Sequence, residues 1–490
     1  MPMRRWWDRA RVLPGAPSVR GLGVGGEDWL RSAHDVAAAG GRLLSLWGSG
    51  ESGDAAVYAA YLTEPGVLVA EMSVEPSATH EHYPGLEGIF PAASRMQRAA
   101  FDVSGVRSSD PDRRPWLRHD AAYHFVRVEG EGVHEIPVGP VHAGTIEPGH
   151  FRFSVVGEKV LRLEERLGYT HKGIERRFAE LPILAAHRLA ARVSGDSAVA
   201  FSWAYCQALE AMSGCVIPPR AVWLRAAFLE LERIANHLGD LGALGNDAGF
   251  AFGLMQFSRL KEGLLRAVSA AFGQRYLLDA IAPGGTAVDV SAQANRTLAH
   301  TVASICREAA ELRTIYDEHS GLRDRFTGTG CLAPALAARL GVLGLVGRAS
   351  GQSLDARVDL PCAPYGELVP AKIVQRGGDV AARVSVRFDE LQESGRLLAR
   401  ILGELPSGAH VVPIEAPAAG AFGAGLIEGW RGPAFLALEA GPDGSIRRCH
   451  PHDPSWQNWP ALEHAIVGNI VPDFPLINKS FNLTYSGVDL

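Results

Sequence analysis

The sequence has few of the features that direct a chain to a bilayer, an oxidising compartment or nucleic acid. No apolar run reaches the roughly 18 residues that cross a membrane as a helix. The six cysteines include no C-x-x-C pair, which argues against a cluster held by this chain and favours buried thiols in a reducing compartment. With 48 basic and 54 acidic side chains the net charge is −6, so we expect no nucleic-acid partner.

A motif for a dehydrogenase that works alone is also missing. The glycine-rich stretch at 21–26 lacks the preceding strand and the trailing acidic residue of a dinucleotide site. What is present is an ordinary globular composition, 47% hydrophobic and 21% charged. The length of 490 residues suffices for roughly two to four domains.

The hydrophobic pattern predicts an α+β fold with two domains, 1–121 and 122–490. Turn-forming residues at 108–115, Ser-Ser-Asp-Pro-Asp-Arg-Arg-Pro, precede the boundary. The first domain is predicted to be a small α+β unit. Its expected elements are a helix within 26–47, strands at Ala56–Leu62 and Val67–Val74, and a helix at Phe90–Phe101.

The second domain is predicted to be mainly helical, with a β-hairpin near its start and short β segments near its end. Phe151, Phe153 and Val155 alternate before a turn at Gly157-Glu158, and Val160–Leu163 continues extended. Helical periodicity extends over about 172–402. Short strands are expected at Gly423–Glu428, Ala434–Ala440 and Ser445–Cys449.

The predicted helix at 220–244 carries two rows of side chains. One row is apolar and must pack inward; it consists of Ala227, Leu231, Ile234, Leu238 and Leu241. The other is polar, at the same spacing, and consists of Glu230, Arg233, His237 and Asp240. The polar row fits either a buried relay or a solvated ladder of ion pairs, and the spacing alone favours the ladder.

Several motifs resemble those of one family. They are Gly-Pro-Val-His-Ala-Gly-Thr-Ile-Glu-Pro-Gly-His-Phe-Arg-Phe (139–153), Leu-Gly-Tyr-Thr-His-Lys-Gly-Ile-Glu (167–175), Glu-Arg-Ile-Ala-Asn-His-Leu (232–238) and Gly-Arg-Ala-Ser-Gly (347–351). In this order they resemble the large subunit of membrane-bound group 4 nickel–iron hydrogenases, which includes that of formate hydrogenlyase. With Phe90–Val106 the chain also resembles, more distantly, a fusion of the 30-kDa and 49-kDa subunits of respiratory complex I. The resemblance implies a hydrogenase-large-subunit-like fold for the second domain.

Such hydrogenases hold nickel and iron with two pairs of cysteines, because soft thiolates suit these metals. The matching segments here are Arg192–Ser197 and Asn482–Gly487. The four cysteine positions are taken by Ser194, Ser197, Thr484 and Gly487. The resemblance thus implies no metal and no other cofactor bound by this chain, with the iron–sulfur cluster in a partner small subunit. Because the sequence ends at Leu490, soon after the second segment, we also expect no C-terminal processing.

The resemblance to complex I implies a site for a quinone, made by a hairpin histidine paired with an aspartate, and by a tyrosine. Asp247 matches the aspartate, while His142, His150 or the carboxylate of Glu147 could take the place of the histidine. We treat these four as candidate catalytic residues, since reducing a quinone needs two protons. In the alternative interpretation, the two histidines bond only the backbone of a tight turn.

The candidate substrate-binding residues are Arg348, Asp355, Ser194 and Ser197, with Ser194 or Gly195 at the tyrosine position. A cavity lined by Glu147, Asp247, Arg348 and Asp355 that titrates near neutrality would favour a redox role. A cavity filled by apolar side chains would instead favour a structural role.

The favoured function is that of the large peripheral-arm subunit of a membrane-associated oxidoreductase complex. Electrons would pass from the iron–sulfur partner to a quinone-like acceptor, and the chain would be inactive alone. The expected partners are the iron–sulfur small subunit and integral membrane subunits, with the chain in the cytoplasm on the inner face of the cell membrane. The alternatives are a redox-inactive scaffold that couples partner subunits and, as the weaker one, a true nickel–iron hydrogenase.

Overall fold

The computed structural model describes residues 2–50, 55–74, 82–119, 122–142 and 146–490. Its helices and several small sheets make an α+β fold, as the sequence predicts. One hydrophobic core includes side chains from both ends of the chain. The domain boundary at residue 121 lies outside the described residues and stays a prediction.

The N-terminal part is built around a five-stranded sheet of order β1-β2-β5-β4-β3. The predicted strands at 56–62 and 67–74 are confirmed, but the segment 26–47 is a helix followed by a strand, because Gly40 adopts a φ of +77° and ends the helix. The elements are α1 (Pro2–Arg9), β1 (Arg11–Val12), β2 (Val19–Gly23), α2 (Gly26–Ala38), β3 (Arg42–Ser49), β4 (Ala56–Thr63), β5 (Gly66–Ser73), β6 (His82–Tyr83), α3 (Ala93–Ser104) and β7 (Arg107–Ser108).

A three-stranded antiparallel sheet follows, made of β8 (Val133–Val138), β9 (His150–Val156) and β10 (Lys159–Arg166). The predicted hairpin is confirmed as β9 and β10, with Gly157 at a φ of +58° in the turn. β8 was not predicted, because it is a largely exposed edge strand whose pattern carries little apolar signal.

Helices then dominate, as the periodicity predicts. They are α4 (Ile174–Ala179), α5 (His187–Ala190), α6 (Ala198–Met212), α7 (Pro219–Asp247), α8 (Ala251–Phe272), α9 (Ala292–Glu318), α10 (Ser320–Phe326), α11 (Pro334–Leu340), α12 (Gly344–Ala349), α13 (Ala356–Asp359), α14 (Tyr365–Leu368) and α15 (Val380–Gly403), with the short strands β11 (Ile281–Ala282) and β12 (Gly285–Thr286) before α9. None of the helices in the described ranges is both long and apolar enough to span a bilayer.

The longest helix, α7, lies at the centre of the helical part. It packs on α8 and α15, and α9 packs on the same two helices to complete a bundle. The polar row of α7 is buried: Glu230, Arg233 and His237 are fully inaccessible and Asp240 is 4% exposed. The solvated ladder favoured by the spacing is therefore wrong, because α15 and the C-terminal segments cover this face as well.

The predicted C-terminal strands are confirmed as a three-stranded antiparallel sheet. The elements here are β13 (Phe422–Glu428), β14 (Pro433–Ala440), β15 (Ile446–His452), α16 (Ser455–Ala465), α17 (Phe474–Phe481) and α18 (Ser486–Asp489), with single 3-10 turns at Pro442–Gly444 and Val471–Asp473. Trp47 of β3 stacks on His450 of β15, with ring centroids 4.8 Å apart. The N-terminal sheet thus packs directly on the C-terminal one.

Candidate functional site

The two segments that resemble metal-binding motifs meet in the interior. One is the loop between α5 and α6, and the other is the loop between α17 and α18. Ser194 Oγ lies 3.1 Å from Thr484 Oγ1 and 2.7 Å from Asp196 Oδ1. Thr484 Oγ1 also accepts a hydrogen bond from the Gly487 N–H, at 3.1 Å. Three of the four positions that would hold cysteines thus come together, Ser194 and Thr484 through their hydroxyl groups and Gly487 through its backbone N–H.

A buried arginine completes this cluster. Arg431, in the turn between β13 and β14, places Nη2 2.6 Å from Asp196 Oδ2 and donates from Nη1 to Ser197 Oγ at 3.2 Å. Its Nε donates to the Asn482 carbonyl at 2.8 Å, which joins the two loops. Burial alone would raise the pKa of Asp196, but the charge and hydrogen bonds of Arg431 outweigh it and lower that pKa. The cluster is therefore a neutralised ion pair surrounded by hydroxyls.

This donor set does not fit a nickel–iron centre. Soft thiolates bind these metals, whereas the hydroxyls of Ser194, Ser197 and Thr484 are hard, neutral and already hydrogen-bonded to their neighbours. The fourth position, Gly487, has no side chain. The adjacent Arg431 cation would also repel a metal dication.

Of the candidate hairpin residues, Glu147 reaches the cluster. Its Oε2 accepts a hydrogen bond from the Ser486 N–H at 3.0 Å, within the second motif segment. Its side chain is half-buried. A carboxylate thus lies beside the hydroxyl cluster, at the N-terminus of α18.

The two hairpin histidines are placed elsewhere. His150 is buried at the start of β9, where Nδ1 donates to the Gly139 carbonyl at 3.3 Å and Nε2 accepts from Arg152 at 3.4 Å. His142 is exposed and packs against Phe151, with ring centroids 5.7 Å apart. Both nitrogens of His150 are therefore engaged, one by the Gly139 backbone and one by the Arg152 side chain.

The expected pair between Asp247 and a hairpin histidine is wrong. α7 continues through Asp247 rather than ending at Gly245, so the aspartate lies on the last helical turn. No hydrogen bond within the described ranges joins it to His142 or His150. Burial raises the pKa of Asp247 while the Lys479 charge opposes that shift.

Arg348 and Asp355, two of the four residues whose shared cavity would favour a redox role, lie instead in a buried network of ion pairs. Arg348 is fully buried and binds two carboxylates, with Nε 2.7 Å from Glu390 Oε1 and Nη1 2.7 Å from Glu428 Oε1. Nε and Nη1 are therefore committed to internal acids, whereas Nη2 has no hydrogen-bond partner among the described residues.

Asp355 belongs to the same internal network. It accepts from Arg357 Nη2 at 2.8 Å, and Arg357 Nη1 lies 3.2 Å from Glu230. Burial would raise the pKa of Asp355, but the charges of Arg357 and Arg348 lower it to about 2. A group with this pKa does not titrate near neutrality.

The structure shows a cavity of about 220 Å³ between α7 and α8, beside the loop that joins α5 to α6. Its walls are mainly apolar, and Gly195 leaves it open, since a Cβ added there would meet nothing within 4 Å. The lining side chains come from the loop, the two helices and the segment after α8: Asp196, Leu231, Glu232, Ala235, Asn236, Lys261, Leu264, Leu265, Val268, Arg275, Tyr276, Leu277 and Leu278.

Glu232 places a carboxyl group on the wall of this cavity. Its Oε2 accepts from the Val199 N–H at 2.7 Å and its Oε1 from the Ala200 N–H at 3.3 Å, so it caps the start of α6. Burial raises the pKa of Glu232 to about 8, although the hydrogen bonds from the Val199 and Ala200 N–H groups act in the opposite direction. A pKa raised in this way favours the protonated form of Glu232.

Sequence reasoning missed Arg431, Glu232 and Lys261. Arg431 stands alone between two strands, and its role depends on a loop more than 230 residues away. Glu232 lies inside the motif at 232–238, but it is not one of the residues of the polar row on α7. A signal was present only for Gly195, the side-chain-free residue at the tyrosine position.

Comparison with known proteins supports one lineage. Residues 247–421 match the family described as respiratory-chain NADH dehydrogenase, 49 Kd subunit. The chain is 30% identical to formate hydrogenlyase subunit 5 of Escherichia coli K12, over 92% of this chain and 85% of that protein. It is 31% identical to the carbon monoxide-induced hydrogenase of Rhodospirillum rubrum, over 71% of this chain and 96% of that protein.

A solved structure shares the fold. A chain of the membrane-bound sulfane sulfur reductase, an archaeal respiratory membrane complex, matches with a TM-score of 0.68. The match covers 74% of this chain and 99% of that chain at 23% sequence identity. The helical bundle and its flanking sheets are thus an architecture found in a respiratory complex.

Proposed function

Because the chain belongs to the family of membrane-bound hydrogenase large subunits and complex I 49-kDa subunits, we propose that it is the large peripheral-arm subunit of a membrane-associated oxidoreductase complex that works without nickel. An iron–sulfur small subunit supplies electrons, and integral membrane subunits hold the complex on the inner face of the cell membrane. The acceptor is a quinone or a chemically similar molecule.

One observation carries this proposal. The two motif segments keep the close approach that a metal centre would need, yet Ser194 and Thr484 meet there through hydroxyls 3.1 Å apart. Beside this contact, the glycine at position 195 opens onto an apolar cavity. A site that has hydroxyl groups in place of thiolates and an apolar cavity beside them suits an organic acceptor better than a metal.

Carboxyl groups near this site can take part in the proton transfer that quinone reduction needs. Two single-electron transfers from the partner's cluster and two protons convert a quinone to a quinol. The raised pKa of Glu232 favours a protonated carboxyl on the cavity wall, and Glu147 lies at the hydroxyl cluster on the other side of the loop. Glu232 can supply one of the two protons and solvent the other, without a metal-bound intermediate.

Purification of the tagged chain from its native host, grown with nickel, tests the proposal. We expect an iron–sulfur subunit and a polytopic membrane protein to copurify, and the complex to reduce menadione when a low-potential dye supplies electrons. Elemental analysis should find nickel far below about one atom per chain after dialysis against a chelator.

Three results would contradict the proposal. About one retained nickel per chain, or hydrogen uptake with an artificial dye, would identify a true hydrogenase. An assembled complex with a reducible cluster and no acceptor reduction would identify a scaffold. Recovery of a lone monomer would exclude the complex altogether.

A further inference from the structure

Lys261 of α8 has an unusual position on the wall of the cavity between α7 and α8. The neighbouring helix has Gly239 opposite it, and a Cβ added to that glycine would lie 2.8 Å from Lys261 Nζ. The missing side chain thus leaves room for the ammonium group against the α7 backbone. The other lining residues of both helices near it are mostly leucine, valine and alanine.

The charge of Lys261 is not neutralised by a partner. Asp240 and Asp196 act on it electrostatically, but each is already paired, with Arg387 at 2.8 Å and with Arg431 at 2.6 Å. In the part of the chain that the structure describes, Lys261 Nζ has no carboxylate within 4 Å and no hydrogen-bond acceptor.

The other basic group of the cavity is committed. Arg275 lies at the mouth and pairs with Glu262 at 2.5 Å. Lys261 is thus the one lining cation without a described partner, and burial lowers its pKa. Lys261 is half-buried, so water reaches its ammonium group, and a ligand in the cavity can replace that water as the hydrogen-bond acceptor.

We propose that Lys261 binds a carbonyl oxygen of the acceptor, so that the quinone ring lies in the cavity between α7 and α8. This inference rests on the proposed function and names the residue that orients the acceptor. The cavity volume of about 220 Å³ is below the roughly 300–1,000 Å³ of pockets for drug-sized molecules, so it suits a single ring system. A longer tail would leave past Tyr276, which is 48% exposed at the mouth.

The apolar walls select the ligand class. Leu231, Leu264 and Val268 offer no hydrogen bonds to a multiply charged anion, whereas they pack well against a planar ring. The cavity wall carries one ammonium, Lys261, and one carboxyl group, Glu232, which suits a neutral molecule with two oxygens. A quinone has this pattern, and a phosphate does not.

The first experiment measures labelling of the wild-type complex. Acetic anhydride is added with and without menadione, and peptide mass spectrometry quantifies acetylation of Lys261 and of Lys372, a lysine paired with Asp359 outside the cavity. We expect menadione to reduce labelling of Lys261 severalfold and to leave Lys372 unchanged. Unchanged labelling of Lys261, or protection by inorganic phosphate but not by menadione, would overturn the inference.

The second experiment measures KM for menadione in Lys261→Met, Lys261→Arg and Lys372→Met complexes. Losing a hydrogen bond from a charged group should raise KM at least about tenfold in Lys261→Met, with partial recovery in Lys261→Arg and no change in Lys372→Met. An unaltered KM in Lys261→Met would overturn the inference while the proposed function stands. Protection of Lys261 without any menadione reduction would support the site and overturn the proposed function.

Discussion

Ser194 Oγ and Thr484 Oγ1 lie 3.1 Å apart although 290 residues of chain separate them. The contact closes the space between the two motif loops through hydrogen bonds. The hydroxyl cluster is therefore part of the folded core as well as part of the candidate site. This leads to predictions about stability and to predictions about activity.

Thr484→Val should destabilise the protein by about 1–3 kcal/mol, because it leaves the buried Gly487 N–H without its described acceptor. Urea unfolding followed by tryptophan fluorescence measures the change. Thr314→Val, on an exposed face of α9, is the matched control and should shift stability by less than about 0.5 kcal/mol. Equal losses in both variants would contradict the role of the hydroxyl.

Arg348→Met should cost about 3–5 kcal/mol, since Glu390 and Glu428 would remain buried without their shared cation. Arg259→Met removes a 57% exposed arginine from its pair with Glu308 and should cost less than about 1 kcal/mol. Denaturant midpoints distinguish the two. If Arg348→Met unfolds like the wild type but loses affinity for the acceptor, the sequence-based assignment of Arg348 to the substrate site returns.

Glu232 predicts a pH dependence of stability. Its pKa is about 8 in the folded chain against 4.5 for an ordinary glutamate, so between these values the folded state binds the extra proton. Stability contributed by this group is present below pH 4.5 and falls as the pH rises towards 8, by up to about 1.4 kcal/mol per pH unit.

Glu232→Gln keeps one acceptor oxygen, for the closer Val199 N–H group, gives up the longer bond from the Ala200 N–H group and removes the titration. We therefore expect the free energy of unfolding of this variant to depend less steeply on pH than that of the wild type between pH 5 and 8. Parallel curves would show that Glu232 is ionised in the folded protein.

Gly195→Leu should fill the cavity without harming the fold, because a Cβ at this position meets nothing within 4 Å and the backbone φ is not positive. We expect the KM for menadione to rise about tenfold or more, because the leucine side chain would occupy the cavity. Gly263→Leu, equally free of contacts but on the exposed side of α8, is the control. Similar KM values in both complexes would place the acceptor elsewhere.

Glu147→Gln should slow acceptor reduction by about tenfold or more while the complex still assembles with its cluster. The amide oxygen can still accept from the Ser486 N–H, so only the acid–base function is lost. Glu158→Gln, in the exposed turn of the same hairpin, should turn over normally. A normal rate in Glu147→Gln would remove this carboxylate from the proton path.

Local patterns predicted the elements whose signal lies within a few residues. The short apolar runs of β4 and β5, the alternation in β9 and the glycine turn at Gly157 were sufficient, because each of these patterns lies within one segment of the chain. β3 and β8 were missed. β3 follows α2 within one largely apolar segment, and β8 is an edge strand whose apolar residues do not alternate.

The sequence by itself determined the family and the donor types at the motif positions, since both are properties of residue identity. Only the tertiary structure decided which groups meet. Periodicity placed Glu230 and His237 on one face of α7 but could not show that a second layer covers that face. Likewise, Arg431 beside Asp196 and Lys261 without a partner depend on distances between segments far apart in the chain, which no local pattern records.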